Sequence, residues 1–251
     1  MSRNFDILQN AAHFPGAFPP SPAPDGKFAG GAHRHPSSPS RRACAKDEVV
    51  KLVQRVFILP GDTKTPGAVA FCGIGKGDGC SWVCAHAGEV LADQVAGNVC
   101  LVDANLRSPS LHDYFDLANA PGFADAAKDP RPMREFARRA SGHNLWIISA
   151  GTIGREPNGA LNPLRLQSRM AELRGEFEFV LVDTPPLSAF NDAILVGQAT
   201  DGIVLVVGSH STRRQSARMA KESLTSAGVK MFGAVLNQRT YPIPERIYRK
   251  L

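Results

Sequence analysis

Six short apolar runs, at 68–72, 98–103, 144–149, 178–183, 202–207 and 231–236, constrain this chain more than any other feature of it. They are rich in β-branched residues, and stretches with helical spacing separate them, notably 81–95, 163–174, 189–199 and 211–227. A strand apolar on both faces must be covered on both, and strands alternating with helices pair in parallel through crossovers. The pattern therefore predicts an α/β architecture, a mostly parallel central sheet flanked by helices. Ahead of the first run, Asp47 and Glu48 precede Val49, Val50, Leu52, Val53, Val56 and Phe57, an amphipathic helix with acids in its first turn. At 251 residues the chain has room for one such domain and an appendage.

The appendage is N-terminal. From His13 to Ala45 the chain is rich in Pro, Gly, Ser, Ala, Arg and His without apolar periodicity, which predicts a disordered tail over 1–45 and a folded domain over 46–251. Within the tail, Phe5, Leu8 and Ala12 share one face of a short helix that reads equally as a docking peptide or as nothing. The net charge of +6 is partly the tail's and otherwise dispersed, the pattern of a solvated surface; no nucleic-acid partner is expected. The five cysteines form no CxxC pair, which favours a reducing, cytoplasmic compartment. No apolar run reaches the length of a membrane span, and no signal-peptide pattern opens the chain.

Ligands of parallel sheets sit at the carboxyl ends of the strands, and three motifs fall there. After the first run come Gly73-Ile-Gly-Lys-Gly-Asp-Gly-Cys-Ser81 and a helical pattern. A strand, a glycine-rich turn and a helix N-terminus make an anion site, because backbone N–H groups converge there and the helix dipole adds partial positive charge. A working phosphate loop places Lys and then Ser or Thr at its end; here Cys80 stands in the lysine position, followed by Ser81. The second run ends in Asp103 and continues to Asn105 and Arg107; the fourth ends in Asp183-Thr-Pro-Pro186. A lone strand-end aspartate is more often a helix cap than a magnesium ligand, but here two follow a glycine loop in the order a phosphoryl-transfer site uses. Cys80 and Cys84 share a helix face, which permits a redox pair, although small residues packing on the sheet is the preferred reading. His86 and His112 lack metal-ligand spacing.

On these residues the chain resembles the bacterial tyrosine kinases of the CpsD/CapB type, within the MinD/ParA-like class of P-loop ATPases. Cys100 to His112, Phe179 to Leu187, Val235 to Asn237 and Tyr241 to Arg249 carry the likeness, which spans roughly Asp47 to Leu251. The resemblance implies a three-layer P-loop NTPase fold, ATP and Mg2+ as ligands, and a role in exopolysaccharide or capsule synthesis or export. It also implies a membrane polysaccharide co-polymerase, a chain-length regulator, as the partner that recruits the protein to the inner face of the membrane. By resemblance Lys76, Gly77, Asp78, Gly79, Cys80 and Ser81 form the nucleotide loop, and Asn237 faces the adenine. Asp103 and Asp183 serve catalysis, with Ser81, Asp103 and Asp183 around the metal.

The departures from that family bear on chemistry. The loop lysine, which supplies charge at the β/γ phosphates, is Cys80, and the second acid of the family's Asp-x-Asp-x-Arg motif is Asn105; both weaken the case for ATP and Mg2+. At a helix N-terminus the Cys80 thiol is expected to acidify, and a thiolate would repel phosphate. Lys76, four residues earlier, is a possible substitute charge. The family's terminal tyrosine cluster is reduced to Tyr241 and Tyr248, with Tyr114 elsewhere. Its Glu-x-x-Arg-x-x-Arg assembly pattern reads Glu48, Lys51, Gln54, which leaves homo-oligomer formation open. Three readings stand: an impaired kinase-like protein acting through contact, an active tyrosine autokinase, and a MinD/ParA-like positioning ATPase. The third lacks the basic amphipathic anchor it would need after Tyr241.

Overall fold

The structure is a computed structural model that describes residues 47–59, 65–140, 144–152, 162–209 and 211–238. The expected tail over 1–45, Cys44, Tyr241 and Tyr248 lie outside the described residues.

All six apolar runs form strands. The strands are β1 (Ala68–Gly73), β2 (Val99–Asp103), β3 (Arg138–Arg139), β4 (Leu145–Ile148), β5 (Phe179–Thr184), β6 (Ile203–Gly208) and β7 (Met231–Asn237). They make one seven-stranded sheet in the order β3-β4-β2-β5-β1-β6-β7. Every pairing is parallel except that of β3 with β4. The helices are α1 (47–53), α2 (Cys80–Gln94), α3 (Leu111–Tyr114), α4 (Phe123–Ala126), α5 (Pro163–Glu176), α6 (Asp192–Ala199) and α7 (Arg214–Ser226). α1 runs on into a π-helical turn, Gln54–Ile58, closed by the Leu59 N–H donating to the Gln54 carbonyl at 2.6 Å.

The alternation of side chains along β1 divides the core. Val69 and Phe71 face a cluster with Val53 and Phe57 of the first helical segment and Val83, Cys84, Ala87 and Leu91 of α2. Ala68, Ala70 and Cys72 face another with Leu166, Met170 and Leu173 of α5, Val196 of α6 and Leu224 of α7. Full burial on both faces is what β1, β2 and β5 share, and it is why these runs read as unbroken apolar sequence. At about 25 cal/mol per Å² of apolar surface removed from water, these two clusters are the main stabilising term of the fold.

Two boundaries differ from expectation. The helix expected over 189–199 starts only at Asp192, because Pro186 opens a turn whose carbonyl accepts the N–H groups of Ala189 and Phe190. The helix expected over 211–227 starts at Arg214, because Ser211 and Thr212 are engaged elsewhere. The sheet order puts β1 between β5 and β6, so the loop leaving β1 opens where the strand order reverses, beside the ends of β5 and β6.

Candidate functional site

The loop between β1 and α2 is built around Asp78. Its carboxylate is buried, and its Oδ2 accepts the N–H groups of Ile74 at 3.1 Å and Gly75 at 2.7 Å. Its Oδ1 accepts the hydroxyls of Ser211 at 3.0 Å and Thr212 at 3.2 Å, from the corner between β6 and α7. From the end of β7, Asn237 Nδ2 donates to the Asp78 carbonyl at 2.8 Å and Gln238 Nε2 to the Gly77 carbonyl at 2.7 Å. Gly77 and Gly79 hold φ of +90° and +81°, values that side chains other than glycine rarely adopt, and a Cβ on Gly79 would run into the Asn237 amide. Sequence reading missed Ser211, Thr212 and Gln238. A Ser-Thr pair just past a strand at the same sheet edge was the available signal.

Removing the Asp78 carboxylate leaves these donors without an acceptor. Asp78→Ala is expected to lower stability by about 2–4 kcal/mol and to speed amide exchange at Ile74 and Gly75, read by thermal unfolding and hydrogen-exchange mass spectrometry. Unchanged exchange in the loop would show that its shape is set elsewhere.

The two strand-end aspartates are neighbours in register across β2 and β5, and both are fully buried. Asp183 Oδ2 accepts the Ser81 hydroxyl at 2.5 Å, and Oδ1 has no partner among the described residues. Burial, then the charge of Asp103, pushes the Asp183 carboxyl up to about 8. Burial likewise raises Asp103, to about 6, against the pull of three backbone N–H groups. Those are Asn105 at 3.1 Å and Ser110 and Leu111 at 3.0 Å, so Asp103 folds the segment after β2 back on itself and caps α3. The cap reading of Asp103 is thus realised in the structure alongside its place beside Asp183.

The expected acidification of Cys80 is corrected. Burial, and after it the neighbouring Asp183 carboxyl, raises the thiol well above its ordinary value, which outweighs the helix dipole. Cys80 therefore stays a neutral thiol, and so does the fully buried Cys84. Lys76 is exposed, with no partner among the described residues. Arg107 is engaged by the start of α6: its Nε donates to Asp192 Oδ2 at 3.0 Å and its guanidinium lies 3.8 Å from the centre of the Phe190 ring. Asn105 accepts the Ser108 N–H at 3.3 Å and closes a local turn. Tyr114 is half-buried on α3, and burial, then Asp183, pushes its hydroxyl up to about 12.

The site thus brings together Gly77, Asp78, Gly79, Cys80, Ser81 and Asn237 at the loop, with Asp103 and Asp183 beside it. A nucleotide and its magnesium ion fit part of this set. Positive-φ glycines at the start of a helix that lacks a side-chain cap offer backbone donors, and the unpartnered Asp183 oxygen next to a hydroxyl offers acceptors for a metal shell. The fixed cation that a phosphate cluster calls for is missing from the loop.

Tyrosine-protein kinase YwqD of Bacillus subtilis (strain 168) is 32% identical to the chain over 161 residues, which cover 64% of this chain and 68% of that protein. The chain belongs to the bacterial tyrosine-protein kinase family. Another member, tyrosine-protein kinase ptk of Acinetobacter johnsonii, is 29% identical over 160 residues, 63% of this chain but only 22% of that longer protein. No family model matches the chain. Among solved structures, the chimerical protein CapA2B2 superposes with a TM-score of 0.72 at 22% identity, over 83% of this chain and 89% of that one. The kinase domain of the Escherichia coli tyrosine kinase ETK gives 0.71 at 21%, over 80% and 79%. The septum site-determining protein MinD from Pyrococcus horikoshii OT3, solved with Mg-ADP, gives 0.59 at 19%, over 73% and 76%. These likenesses establish the three-layer P-loop NTPase fold of this family member.

Proposed function

We propose that this member of the tyrosine-kinase family is a kinase-like protein of exopolysaccharide or capsule synthesis or export that acts mainly by contact, with strongly reduced phosphoryl transfer. One observation carries the reading: where the loop should present a fixed positive charge, it presents a neutral thiol near the Asp183 carboxyl. Phosphoryl transfer is mostly positioning and charge stabilisation, and loss of one preorganised donor costs roughly 3–4 kcal/mol, on the order of a hundred- to a thousandfold in rate. Binding is less affected, since backbone N–H groups from Gly77 onward and the Ser81 hydroxyl remain, with Asp183 to hold a hydrated Mg2+ beside Ser81. ATP and Mg2+ are thus weak ligands of a shaped loop, and Asn237, already bound to the loop backbone, would border the base. When bound, the metal would supply charge neutralisation that no fixed side chain of the loop provides.

Family resemblance supports a cytoplasmic protein brought to the inner membrane face by a polysaccharide co-polymerase. No helix among the described residues is long and apolar enough to cross a membrane. On α1, Glu48 and Lys51 pair with each other at 2.8 Å on an exposed face, which leaves a different surface for the family's ring contact than its arginines provide.

The test is titration of the native protein with Mg-ATP by calorimetry, paired with incubation in γ-labelled ATP. Affinity weaker than micromolar and no labelled tyrosine are expected. Micromolar affinity with self-labelled tyrosines would overturn the proposal in favour of an active autokinase.

A further inference from the structure

α7 carries its charges at the wrong end for a helix that serves only the fold. Arg213 is its N-cap residue and Arg214 its first, no acid lies in its first turn, and no base lies in its last. The helix dipole disfavours cations at the N-terminus, and like charges four apart, such as Arg214 and Arg218, disfavour each other. Arg213, Arg214 and Arg218 are exposed, and no described residue pairs with any of them. Two other helix ends follow the ordinary rule, with Asp192 in the first turn of α6 and Arg174 in the last turn of α5. Local costs accepted without a compensating contact point to function.

We infer that this arginine face is the seat of an acidic segment, rich in Asp or Glu, of a partner protein. All three residues are arginine, whose planar fork takes a carboxylate through two parallel hydrogen bonds, where a diffuse attraction would be served equally by lysine. Recognition of an anionic lipid surface generally draws on about four to eight basic residues, and among the described residues this face presents three unpaired arginines. The position is also informative. Ser211 and Thr212, whose hydroxyls hold Asp78 in the phosphate loop, immediately precede Arg213, so the seat adjoins the site without using any of its residues. The inference stands whether or not the loop binds nucleotide.

The probe is a fluorescein-labelled hexaglutamate peptide, followed by anisotropy at low salt with the full chain. Arg214→Glu/Arg218→Glu is expected to weaken binding tenfold or more, and raised salt to weaken binding of the native protein. Lys51→Glu/Arg55→Glu, the same change of charge on α1, is expected to weaken it less than twofold. Equal losses in the two variants would reduce the effect to net charge and overturn the assignment, as would no loss in the α7 variant. Sedimentation of the native protein with phosphatidylserine vesicles, without binding to the peptide, would overturn it in favour of a lipid surface. Should the α7 variant fail to fold, Arg214→Gln/Arg218→Gln removes the charge without reversing it and carries the same expectation.

Discussion

Replacing Cys80 with lysine is expected to tighten Mg-ATP binding by roughly ten- to a hundredfold and to raise any phosphoryl transfer by more. A unit charge about 4 Å from a phosphate oxygen contributes on the order of 4 kcal/mol at the effective dielectric of a partly wet protein site, which sets the ceiling. Part of that gain goes elsewhere. Cys80 lies near enough to Asp183 for the two to interact electrostatically, so an ammonium group introduced here also acts on that carboxyl and favours its ionised form. The rise in affinity should therefore fall short of the ceiling, while rate, which depends on charge in the transition state, should gain more. Cys80→Ala is the control for size without charge. Calorimetry and labelling of the three proteins side by side decide the matter. If lysine binds no better than alanine, the loop has lost more than one charge, and the second departure, Asn105, becomes the place to look.

Asp183→Asn is expected to remove most of the pH dependence of stability between about pH 4 and 8. The folded protein holds the Asp183 proton up to about 8, whereas an unfolded chain releases it near 3.9. Between those values the native state binds more protons than the unfolded state, so stability falls as pH rises. Asp103 adds the same trend over the lower part of the range, up to about 6. At about 1.4 kcal/mol per pH unit, the loss by alkaline pH reaches roughly several kcal/mol. Asparagine keeps an acceptor for Ser81 and carries no charge to bury. The variant should then unfold at about the same temperature as the native protein near pH 4, and roughly 10–20 °C above it at pH 9. Calorimetric melts across that range check it. A variant whose melting temperature tracks the native one throughout would mean that Asp183 is ionised in the folded state at neutral pH.

Burial on both faces makes a central strand legible, because it removes polar residues from the sequence altogether. That is why β1, β2 and β5 could be placed from their composition, and with them the loop and the two aspartates that follow. What could not be read lacks such a signature. β3 is two arginines held by pairing with β4, with Arg138 also bonded to the carbonyls of Ala118 and Ala120. α3 and α4 are single turns, fixed by Asp103 and by the segment around Ser149 and Ala150. Within the site, residue identities were legible and their environments were not. The dipole at α2 argued for an acidic Cys80, but burial, and after it a carboxyl more than a hundred residues away in sequence, sets the thiol's value. The engagement of Asp78 with Ser211 and Thr212 is of the same kind, a contact between two sheet-edge loops that periodicity cannot show.

The antiparallel pair Arg138–Arg139 also bears on how the sheet ends. An edge strand offers unpaired N–H and C=O groups to any extended chain that drifts against it. Here the β4 side closes with a strand of two residues, both cationic, and one of them tied to carbonyls of its own chain. Too little edge is left to template a further strand, and the guanidinium groups keep what remains hydrated. On that side the fold carries its own stop, a safeguard against edge-to-edge association that asks nothing of the core.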